Sequence, residues 1–244
     1  MSRWLEDFLL ITLDRVDSTN DEAKRIIASG NIDSNLVIWA HEQTNGRGQK
    51  GRRWESMEAN LFVSVTLPLT CSMDRLPELS IVTSLGVNRA IQGALGAGQE
   101  EVQHKWPNDV LIGGKKVAGI LLEALPQRDK VVVGIGVNVA NCPRGLDRPV
   151  CCLADFGVEI DAGGMLGRLM EEFATLYAGW HDALSLGELG RAWMQTAWGI
   201  GQVIELDTGN SVLSGRFVGI DEHGSLLLET GPGRIHRIRS AEFV

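Results

Sequence analysis

The sequence has few cysteines, and they lack the spacing of a metal-binding or disulfide framework. Only Cys71, Cys142, Cys151 and Cys152 occur in 244 residues, and none belongs to a Cys-x-x-Cys pair. Adjacent cysteines such as Cys151 and Cys152 are poorly placed to bond to each other, because a disulfide requires a specific separation of the two Cα atoms. We therefore expect reduced thiols that pack as small apolar side chains.

Long hydrophobic runs are also missing. The longest apolar stretch, residues 131–140, is interrupted by Gly134, Gly136 and Asn138 and falls well short of the roughly 20 residues that a membrane-spanning helix needs. The first seven residues contain Glu6 and Asp7 where a signal peptide would have an apolar core. These absences predict a cytoplasmic protein without a membrane segment.

Positive charge is scarce. The chain has 23 Lys and Arg against 31 Asp and Glu, a formal net charge of −8. Because affinity for duplex nucleic acid depends on neutralising phosphates, this balance argues against a general nucleic-acid-binding protein. The apolar content of 44% is enough to bury a core, and the length suits one large domain and a small one.

The patterning changes near residue 199. Before it, strand-like and helix-like segments are mixed, and Gly113-Gly114 between two apolar runs predicts a hairpin. After it, short alternating strands and glycine-rich turns are typical of a small β-barrel. The predicted strands are residues 8–14, 36–40, 60–67, 110–112, 116–125, 131–139, 202–207, 211–220, 226–229 and 235–238; the predicted helices follow residues 17–20 and cover 77–95, 162–183 and 185–197. The sequence thus predicts an α+β fold with a mixed or antiparallel sheet and helices in residues 1–198, followed by a small barrel in residues 199–244.

The most basic segment is a glycine-rich loop. Residues 46–54, Gly-Arg-Gly-Gln-Lys-Gly-Arg-Arg-Trp, hold four cations and three glycines. Glycines let backbone N–H groups approach a phosphate while arginine and lysine neutralise its charge, so the loop can wrap an anion. A solvated surface loop is the alternative. The loop also matches Gly-x-Gly-x-x-Gly, but residues 54–60 are turn-like and no helix opens there, which argues against a dinucleotide-binding fold.

Three further positions place polar groups where they need partners. Residues 105–109, Lys-Trp-Pro-Asn-Asp, offer a cation, an amide and a carboxylate, and Asp109 could position nucleotide phosphates through Mg²⁺; the alternative is a simple turn. Lys116 opens an apolar strand, where burying a lysine is costly unless it meets an anion. Asn138 lies in a glycine-interrupted core strand, where either a ligand or an internal hydrogen bond can satisfy it.

Six motifs occur in a specific order. They are Asp17-Ser18-Thr19-Asn20, Glu42-Gln43-Thr44-Asn45-Gly46-Arg47-Gly48, Gly51-Arg52-Arg53-Trp54, Lys105-Trp106-Pro107-Asn108-Asp109, Lys116-Val117-Ala118-Gly119-Ile120-Leu121 and Gly136-Val137-Asn138. Together they resemble the biotin–protein ligase family over residues 8–240. The resemblance implies a biotin/lipoate ligase-like catalytic domain closed by a small SH3-like barrel. It also implies that the protein forms biotinyl-adenylate from biotin and ATP and transfers biotin to a lysine of a biotin carboxyl carrier protein domain.

The resemblance also implies residue roles. Ser18, Thr19 and Gln43 would bond the ureido head of biotin, and the implied biotin-binding set is Ser18, Thr19, Asn20, Gln43, Gly46, Arg47, Gly48, Gln49, Lys116 and Gly119. The implied ATP-binding set is Lys50, Arg52, Trp54, Lys105, Asn108, Asp109 and Asn138, with Asp109 also placing Mg²⁺. The implied catalytic residues are Lys116, Arg47 and Lys105. Lys116 would bridge the biotin carboxylate and the α-phosphate, where negative charge accumulates.

Two departures from the family pattern affect these expectations. Gln49 stands where the family usually has arginine, and the chain begins 17 residues before Ser18, too few for the operator-binding domain that some members carry. We therefore expect no DNA partner. Members occur as monomers and dimers, so a homodimer stays open. The alternatives are a lipoate or octanoate ligase or transferase of similar fold and, from another class, a non-catalytic RNA- or protein-binding module.

Overall fold

The computed structural model describes residues 8–30, 34–69, 73–96, 98, 100–146, 148–183 and 186–244. Cys71 and the first seven residues, to which two of the expectations above refer, lie outside the described residues. In the described part of the chain, no helix combines the length and the apolar character needed to cross a membrane.

Seven strands form one mixed sheet, and the sequence predicts a sheet of this kind with six of them. They are β1 (Phe8–Val16), β2 (Asn35–Gln43), β3 (Leu61–Pro68), β4 (Val102–Lys105), β5 (Asp109–Ile112), β6 (Lys115–Leu125) and β7 (Lys130–Val137). Their spatial order is β1-β2-β3-β7-β6-β5-β4. β1 and β2 pair in parallel, and the other neighbours pair antiparallel. The central strands β3 and β7 are covered on both faces, which explains why their sequences are nearly continuous apolar runs.

Helix α1 (Thr19–Ser29) covers one face of this sheet. It begins at Ser18, whose side chain accepts a hydrogen bond from the backbone N–H of Asp21, and it ends at Gly30 in the left-handed conformation, with φ of 68°. Its Ala23 packs in a small core with Leu36, Ile38 and Val132 of the strands beneath. This packing fixes the N-terminal end of α1 above β2 and β3.

Helices α2 (Leu76–Leu95) and α3 (Ala162–Ala183) cover the opposite face. They approach closely at Gly86, where a Cβ atom would lie only 3.1 Å from the Cα of Phe173. Helix α4 (Gly187–Gln195) packs beside α2, and the indole of its Trp193 donates to the hydroxyl of Ser84 at 2.9 Å. These helices enclose the main hydrophobic core.

The C-terminal strands form a second sheet, which is antiparallel throughout. They are β8 (Val203–Asp207), β9 (Val212–Ile220), β10 (Leu226–Gly231), β11 (Arg234–Ile238) and β12 (Glu242–Phe243), in the order β11-β10-β9-β8-β12. The turn between β9 and β10 docks on the connection between β4 and β5, where the Trp106 indole donates to the carbonyl of Gly224 at 3.0 Å. Phe217 and Leu228 belong to the same core as α2 and α3, so the two sheets pack as one body.

The structure adds two strands that the sequence analysis does not predict. In β4 the two buried residues are Val102 and His104, and only Val102 is apolar. The His104 ring stacks on that of Trp193, with centroids 5.3 Å apart. A buried histidine in a polar tetrapeptide gives no recognisable alternation. The other strand, β12, has only two residues. The Gly113-Gly114 hairpin is confirmed, since both glycines have positive φ between β5 and β6.

Candidate active site

A cavity of about 630 Å³, including its open mouth, lies where the N-terminus of α1 meets β2, β6, β7 and the loop of residues 46–54. The predicted site residues that line it are Ser18, Thr19, Asn20, Gln43, Arg47, Gly48, Gln49, Arg52, Trp54, Asn108, Asp109, Lys116 and Gly119. The lining residues without a predicted role are Arg53, Ile120, Leu121, Gly134, Ile135, Gly136 and Arg148. Residues from distant parts of the sequence therefore meet at one concave site.

One end of the cavity is a buried network of uncharged polar groups. The carboxamide oxygen of Gln43 accepts from the backbone N–H of Thr19 at 2.8 Å and from its hydroxyl at 3.1 Å. Beneath them, the hydroxyl of Ser64 lies 2.7 Å from that of Thr19 and donates to the carboxamide oxygen of Asn20 at 2.6 Å. Asn20 in turn donates to Glu123 at 2.7 Å. Because these side chains hold one another, the end of the cavity is rigid before any ligand arrives.

The floor of the cavity is made by glycines in β6 and β7. A Cβ atom at Gly119 would lie 2.7 Å from the Trp54 ring, and one at Gly136 would lie 2.6 Å from it. A Cβ atom at Gly134 would collide with the side chain of Asn20. The absence of side chains lets the indole of Trp54 and the amide of Asn20 rest directly on the sheet. The indole nitrogen of Trp54 is buried there and has no hydrogen-bond partner among the described residues.

The middle of the cavity carries an ion pair. The ammonium of Lys116 lies 2.6 Å from a carboxylate oxygen of Asp109, and the Lys116 side chain is only 12% exposed. Burial lowers the pKa of Lys116, and the neighbouring Asp109 carboxylate opposes this effect. The same ammonium lies 5.3 Å from the centroid of the Trp54 ring. Lys116 is therefore a largely desolvated cation held by one carboxylate and one aromatic face.

The glycine-rich loop forms a small hairpin over the cavity mouth. The backbone N–H of Gly48 donates to the carbonyl of Arg52 at 2.7 Å, and that of Trp54 donates to the carbonyl of Gly46 at 2.9 Å. Gly46 itself is buried beneath the loop, where a Cβ atom would lie 2.8 Å from the carbonyl oxygen of Trp54. After the single 3₁₀ turn at Gln49–Gly51, residues 52–60 contain no helix, in agreement with the exclusion of a dinucleotide fold.

Carboxylates hold the loop cations. The two terminal guanidinium nitrogens of Arg47, Nη1 and Nη2, each donate to Asp21 at 2.6 Å. These hydrogen bonds lower the pKa of the Asp21 carboxyl group. Lys50 and Arg52 reach across to the second sheet, where their side-chain nitrogens lie 3.4 and 3.0 Å from the carboxylate of Glu242. Three of the four loop cations, Arg47, Lys50 and Arg52, are thus already paired within the protein.

Three predicted residues lie beside the main cavity. Asn138 lines an adjoining cavity of about 410 Å³, shared with Lys116, and its amide donates to the carbonyl of Cys151 at 3.0 Å. Lys105 places its ammonium 4.8 Å from the ring centroids of both Trp198 and Phe243. Lys50 is exposed near the mouth. Asn108, within the main cavity, donates to the carbonyl of Ile120 at 2.6 Å.

Several residues of the site have no assigned role in the sequence analysis. Arg148 adds a cation to both cavities, but an arginine in an irregular loop carries no sequence signal. Ser64 and Glu123 gave a usable signal, because each is a polar residue in an otherwise apolar strand. Glu242 had none, since its role depends on the docking of the second sheet.

Comparison with known proteins places this geometry in context. Residues 12–139 match the model of the biotin/lipoate A/B protein ligase family, and residues 199–244 match that of the biotin protein ligase C terminal domain. The chain is 36% identical to a biotin–[acetyl-CoA-carboxylase] ligase of Paracoccus denitrificans, over 91% of this chain and 95% of the relative. It is 33% identical to the bifunctional ligase/repressor BirA of Bacillus subtilis, over 96% of this chain and 73% of the relative. A biotin protein ligase from Aquifex aeolicus, solved in complex with biotin and ATP, superposes with a TM-score of 0.83 at 29% identity and covers 96% of this chain and 97% of its own.

Proposed function

The chain belongs to the biotin/lipoate A/B protein ligase family, and from this membership we propose how its pocket carries out the ligase reaction. The protein activates biotin with ATP to biotinyl-5'-AMP and transfers the biotin to a lysine of a carboxylase's carrier domain. One cavity joins an uncharged hydrogen-bonding end to a cationic end, with Lys116 between them. This observation supports assigning the first end to biotin and the second to ATP.

The uncharged end suits the ureido head of biotin. A ureido group has two N–H donors and one carbonyl acceptor, and Ser18, Thr19 and Gln43 supply hydroxyl and carboxamide groups that both donate and accept. Asn20, held by Ser64 and Glu123, supports this end. The apolar side chain of Leu121, opposite Gly134 on the pocket face of the sheet, would cover the thiophane ring and the aliphatic tail, which places the biotin carboxylate toward Lys116.

The cationic end suits the phosphates of ATP. Lys116, Arg52 and Arg148 line the cavity, and Lys50 and Lys105 lie beside it. Trp54 offers an aromatic surface for a base. Asp109 provides a carboxylate oxygen among these cations, the donor type that Mg²⁺ uses together with substrate phosphates, so the residues present fit a Mg²⁺ ion. When bound, Mg²⁺ neutralises the pyrophosphate leaving group.

In the first step, a biotin carboxylate oxygen attacks the α-phosphorus of ATP and the bond to pyrophosphate breaks. Negative charge builds on the α-phosphate oxygens, and Lys116 is a preorganised, desolvated cation at this position. Its pairing with Asp109 holds the ammonium in place before the substrates bind. Arg47, once released from Asp21, would close over the adenylate.

In the second step, the amine of the carrier lysine attacks the acyl carbon of the adenylate, the bond to AMP breaks, and the nitrogen loses a proton. AMP is already a good leaving group, so the enzyme needs to supply no covalent nucleophile. Its residues hold the adenylate and exclude water until the carrier arrives.

The decisive experiment is ATP-dependent labelling of a carrier-domain fragment by the purified protein. We expect incorporation of one biotin at one lysine, with release of AMP and pyrophosphate, and none with lipoate in place of biotin. Transfer of lipoate at a comparable rate would assign the chain to the lipoate branch of the family. Absence of pyrophosphate release with either acid would contradict catalysis altogether.

We further propose that the protein has no operator-binding activity, because its net charge of −8 opposes the neutralisation of DNA phosphates. In a mobility-shift assay with the DNA upstream of its own gene, biotin and ATP should produce no complex. A sequence-specific complex that survives moderate salt would overturn this proposal.

Sedimentation in the same buffer would decide between a monomer and a homodimer.

A further inference from the structure

A cluster of soft and acidic side chains lies beside the active site and has no part in the mechanism above. The sulfur atoms of Cys142 and Cys152 and a carboxylate oxygen of Asp155 all lie within 4.8 Å of one another. Cys152 is buried, Cys142 is half-buried and Asp155 is exposed, so the cluster opens to solvent on one side. It borders a surface cavity of its own, separate from the active-site cavity.

A backbone hydrogen bond holds the Asp155 carboxylate near the two thiols. One oxygen of Asp155 accepts the backbone N–H of Cys152 at 3.0 Å, which fixes it at the start of the 3₁₀ turn Leu153–Phe156. The same oxygen lies 4.0 Å from the sulfur of Cys142. The Cys152 thiol lies 3.4 Å from the carbonyl oxygen of Ala140. The backbone of this turn is itself anchored to β7, because Ala154 donates to the carbonyl of Val139 at 3.0 Å.

Two sulfurs and one carboxylate oxygen are a donor set for a thiophilic divalent cation. Zinc binds thiolate at about 2.3 Å and carboxylate oxygen at about 2.0–2.2 Å, so ligand atoms around a tetrahedral ion lie about 3.5–3.8 Å apart. The three atoms here are within about an ångström of that spacing. Because one side is open to the solvent-filled cavity, water can supply the fourth ligand.

A disulfide between the two cysteines is the competing use of the same thiols. It would bring the sulfur atoms to about 2.05 Å and would give the carboxylate no role. The position of Asp155 favours a cation, since the oxygen that accepts from the backbone of Cys152 also lies 4.0 Å from the Cys142 sulfur and brings a negative charge to the two thiols.

We propose that Cys142, Cys152 and Asp155 form a three-ligand zinc site with water at the fourth position. The bound ion links Cys142, which follows β7, to Cys152. The neighbouring Cys151 donates its backbone N–H to the carbonyl of Lys116 at 3.0 Å, so the linked chain lies against β6. Leu146 and Arg148 of that segment line the adjoining cavity with Asn138, so the ion holds the nucleotide side of the active site in shape. The zinc site is inferred from the distances among the three ligand atoms. Only its effect on nucleotide binding depends on the proposed function.

The first experiment measures zinc itself, without biotin or ATP. Full-length protein, reduced with a phosphine and then freed of unbound metal, should retain one zinc per chain by elemental analysis. Cobalt added to the apo-protein should give the absorption of thiolate-bound cobalt. Cys142→Ser is the main variant, because this half-buried thiol can change with little effect on folding, and Asp155→Asn is the second; both should weaken zinc binding at least tenfold.

Cys151→Ser is the matched control. This thiol is adjacent to Cys152 but contacts the carbonyl of Lys115 at 3.4 Å, outside the cluster, so the variant should bind zinc like the wild type. Less than a tenth of an equivalent of zinc in the wild type would overturn the proposal, as would equal retention by Cys142→Ser. Loss of both free thiols on air oxidation in the presence of equimolar zinc would also overturn it, in favour of a disulfide.

The second experiment tests the effect on the nucleotide. Protein that has been stripped of zinc with a chelator, freed of the chelator and then supplied with Mg²⁺ should have a KM for ATP about threefold higher, while the KM for biotin stays the same. Cys142→Ser should show the raised value without this treatment. An unchanged KM for ATP, with zinc binding confirmed, would contradict the role in shaping the cavity and leave the zinc site itself standing.

Discussion

The two ends of the active-site cavity are built in different ways. At the uncharged end, Thr19, Asn20, Gln43 and Ser64 bond to one another and are fixed before a ligand binds. At the cationic end, Arg47, Lys50, Arg52 and Lys116 are each held by a carboxylate of the protein. A ligand of the first end has to match a fixed set of hydrogen-bonding groups, whereas a ligand of the second end competes with these ion pairs.

This difference separates the energetics of the two substrates. Hydrogen bonds among uncharged groups respond little to salt, so the contacts of the ureido head should depend less on ionic strength than those of the ATP phosphates. The loop cations are half exposed, and their pairs with Glu242 contribute little stability because solvent screens them. Polyphosphate can therefore displace Glu242 at small cost, and ATP binding should weaken as salt rises.

The largest expected effect is at the junction of the two ends. Lys116→Ala should slow adenylate formation about 10²–10³-fold, because one preorganised charge on the α-phosphate is lost. The measurement is pyrophosphate release in a single turnover. Lys115→Ala, the same charge change at the exposed neighbouring residue, is the control. A rate for Lys116→Ala within twofold of the wild type would mean that the lysine only pairs with Asp109.

The second prediction concerns the loop that covers both ends. Gln49 lines the cavity beside cations that are already paired, so Gln49→Arg adds an unpaired charge that can hold the adenylate. A charge-assisted hydrogen bond contributes about 1.5–3 kcal/mol, and with competition from Arg52 we expect about tenfold slower adenylate dissociation. Radiolabelled adenylate retained on a filter over time gives the rate. Gln127→Arg, on an exposed turn away from the cavity, should dissociate at the wild-type rate.

The third prediction tests whether the uncharged end is a unit. Ser64→Ala removes the hydroxyl between Thr19 and Asn20 and should raise the KM for biotin about fivefold, since a buried hydrogen bond contributes about 1 kcal/mol. The KM for ATP should not change. Thr66→Val on the same strand is the control, because its hydroxyl serves the backbone of Leu36 away from the cavity. If both variants raise the KM for biotin equally, the effect is one of general stability.

The smallest effect is expected from the contact between the loop and the second sheet. Glu242→Gln removes the carboxylate that holds Lys50 and Arg52 and should lower the KM for ATP about threefold, in keeping with about 0.2–1 kcal/mol for an exposed ion pair. The difference should vanish at high salt. Glu205→Gln, an exposed carboxylate on β8, controls for net charge. A higher KM in Glu242→Gln would show that Glu242 positions the loop cations for ATP instead of competing with it.

Much of the uncharged end could be predicted from the sequence. The family resemblance implied the binding role of Ser18 and Thr19, which stand at a recognisable helix start. Ser64 was not identified, although a polar residue in an apolar strand is a local signal. The cationic end was harder. The loop residues were identified by composition, but their partners Asp21 and Glu242 are distant in the sequence, and neither periodicity nor spacing links them to the loop.

The same limit explains the missed parts of the fold. Strand β4 is recognisable only once the ring of His104 is seen to stack on Trp193 of α4, a contact across 89 positions that a local pattern does not contain. The Gly113-Gly114 hairpin, by contrast, depends on two adjacent residues and the runs beside them. Features set by neighbouring residues were predicted, and features set by tertiary contacts were not.

The glycine floor has a consequence for anyone who wishes to redesign the pocket for an enlarged biotin analogue. At Gly119, Gly134 and Gly136 the depth of the pocket is set by main chain, and any side chain added there would meet Trp54 or Asn20. No substitution at these positions can make more room, because nothing remains to be removed. A mutational library should therefore leave the three glycines untouched and vary Leu121, which lies opposite Gly134 on the pocket face of the sheet and can be replaced by a smaller residue.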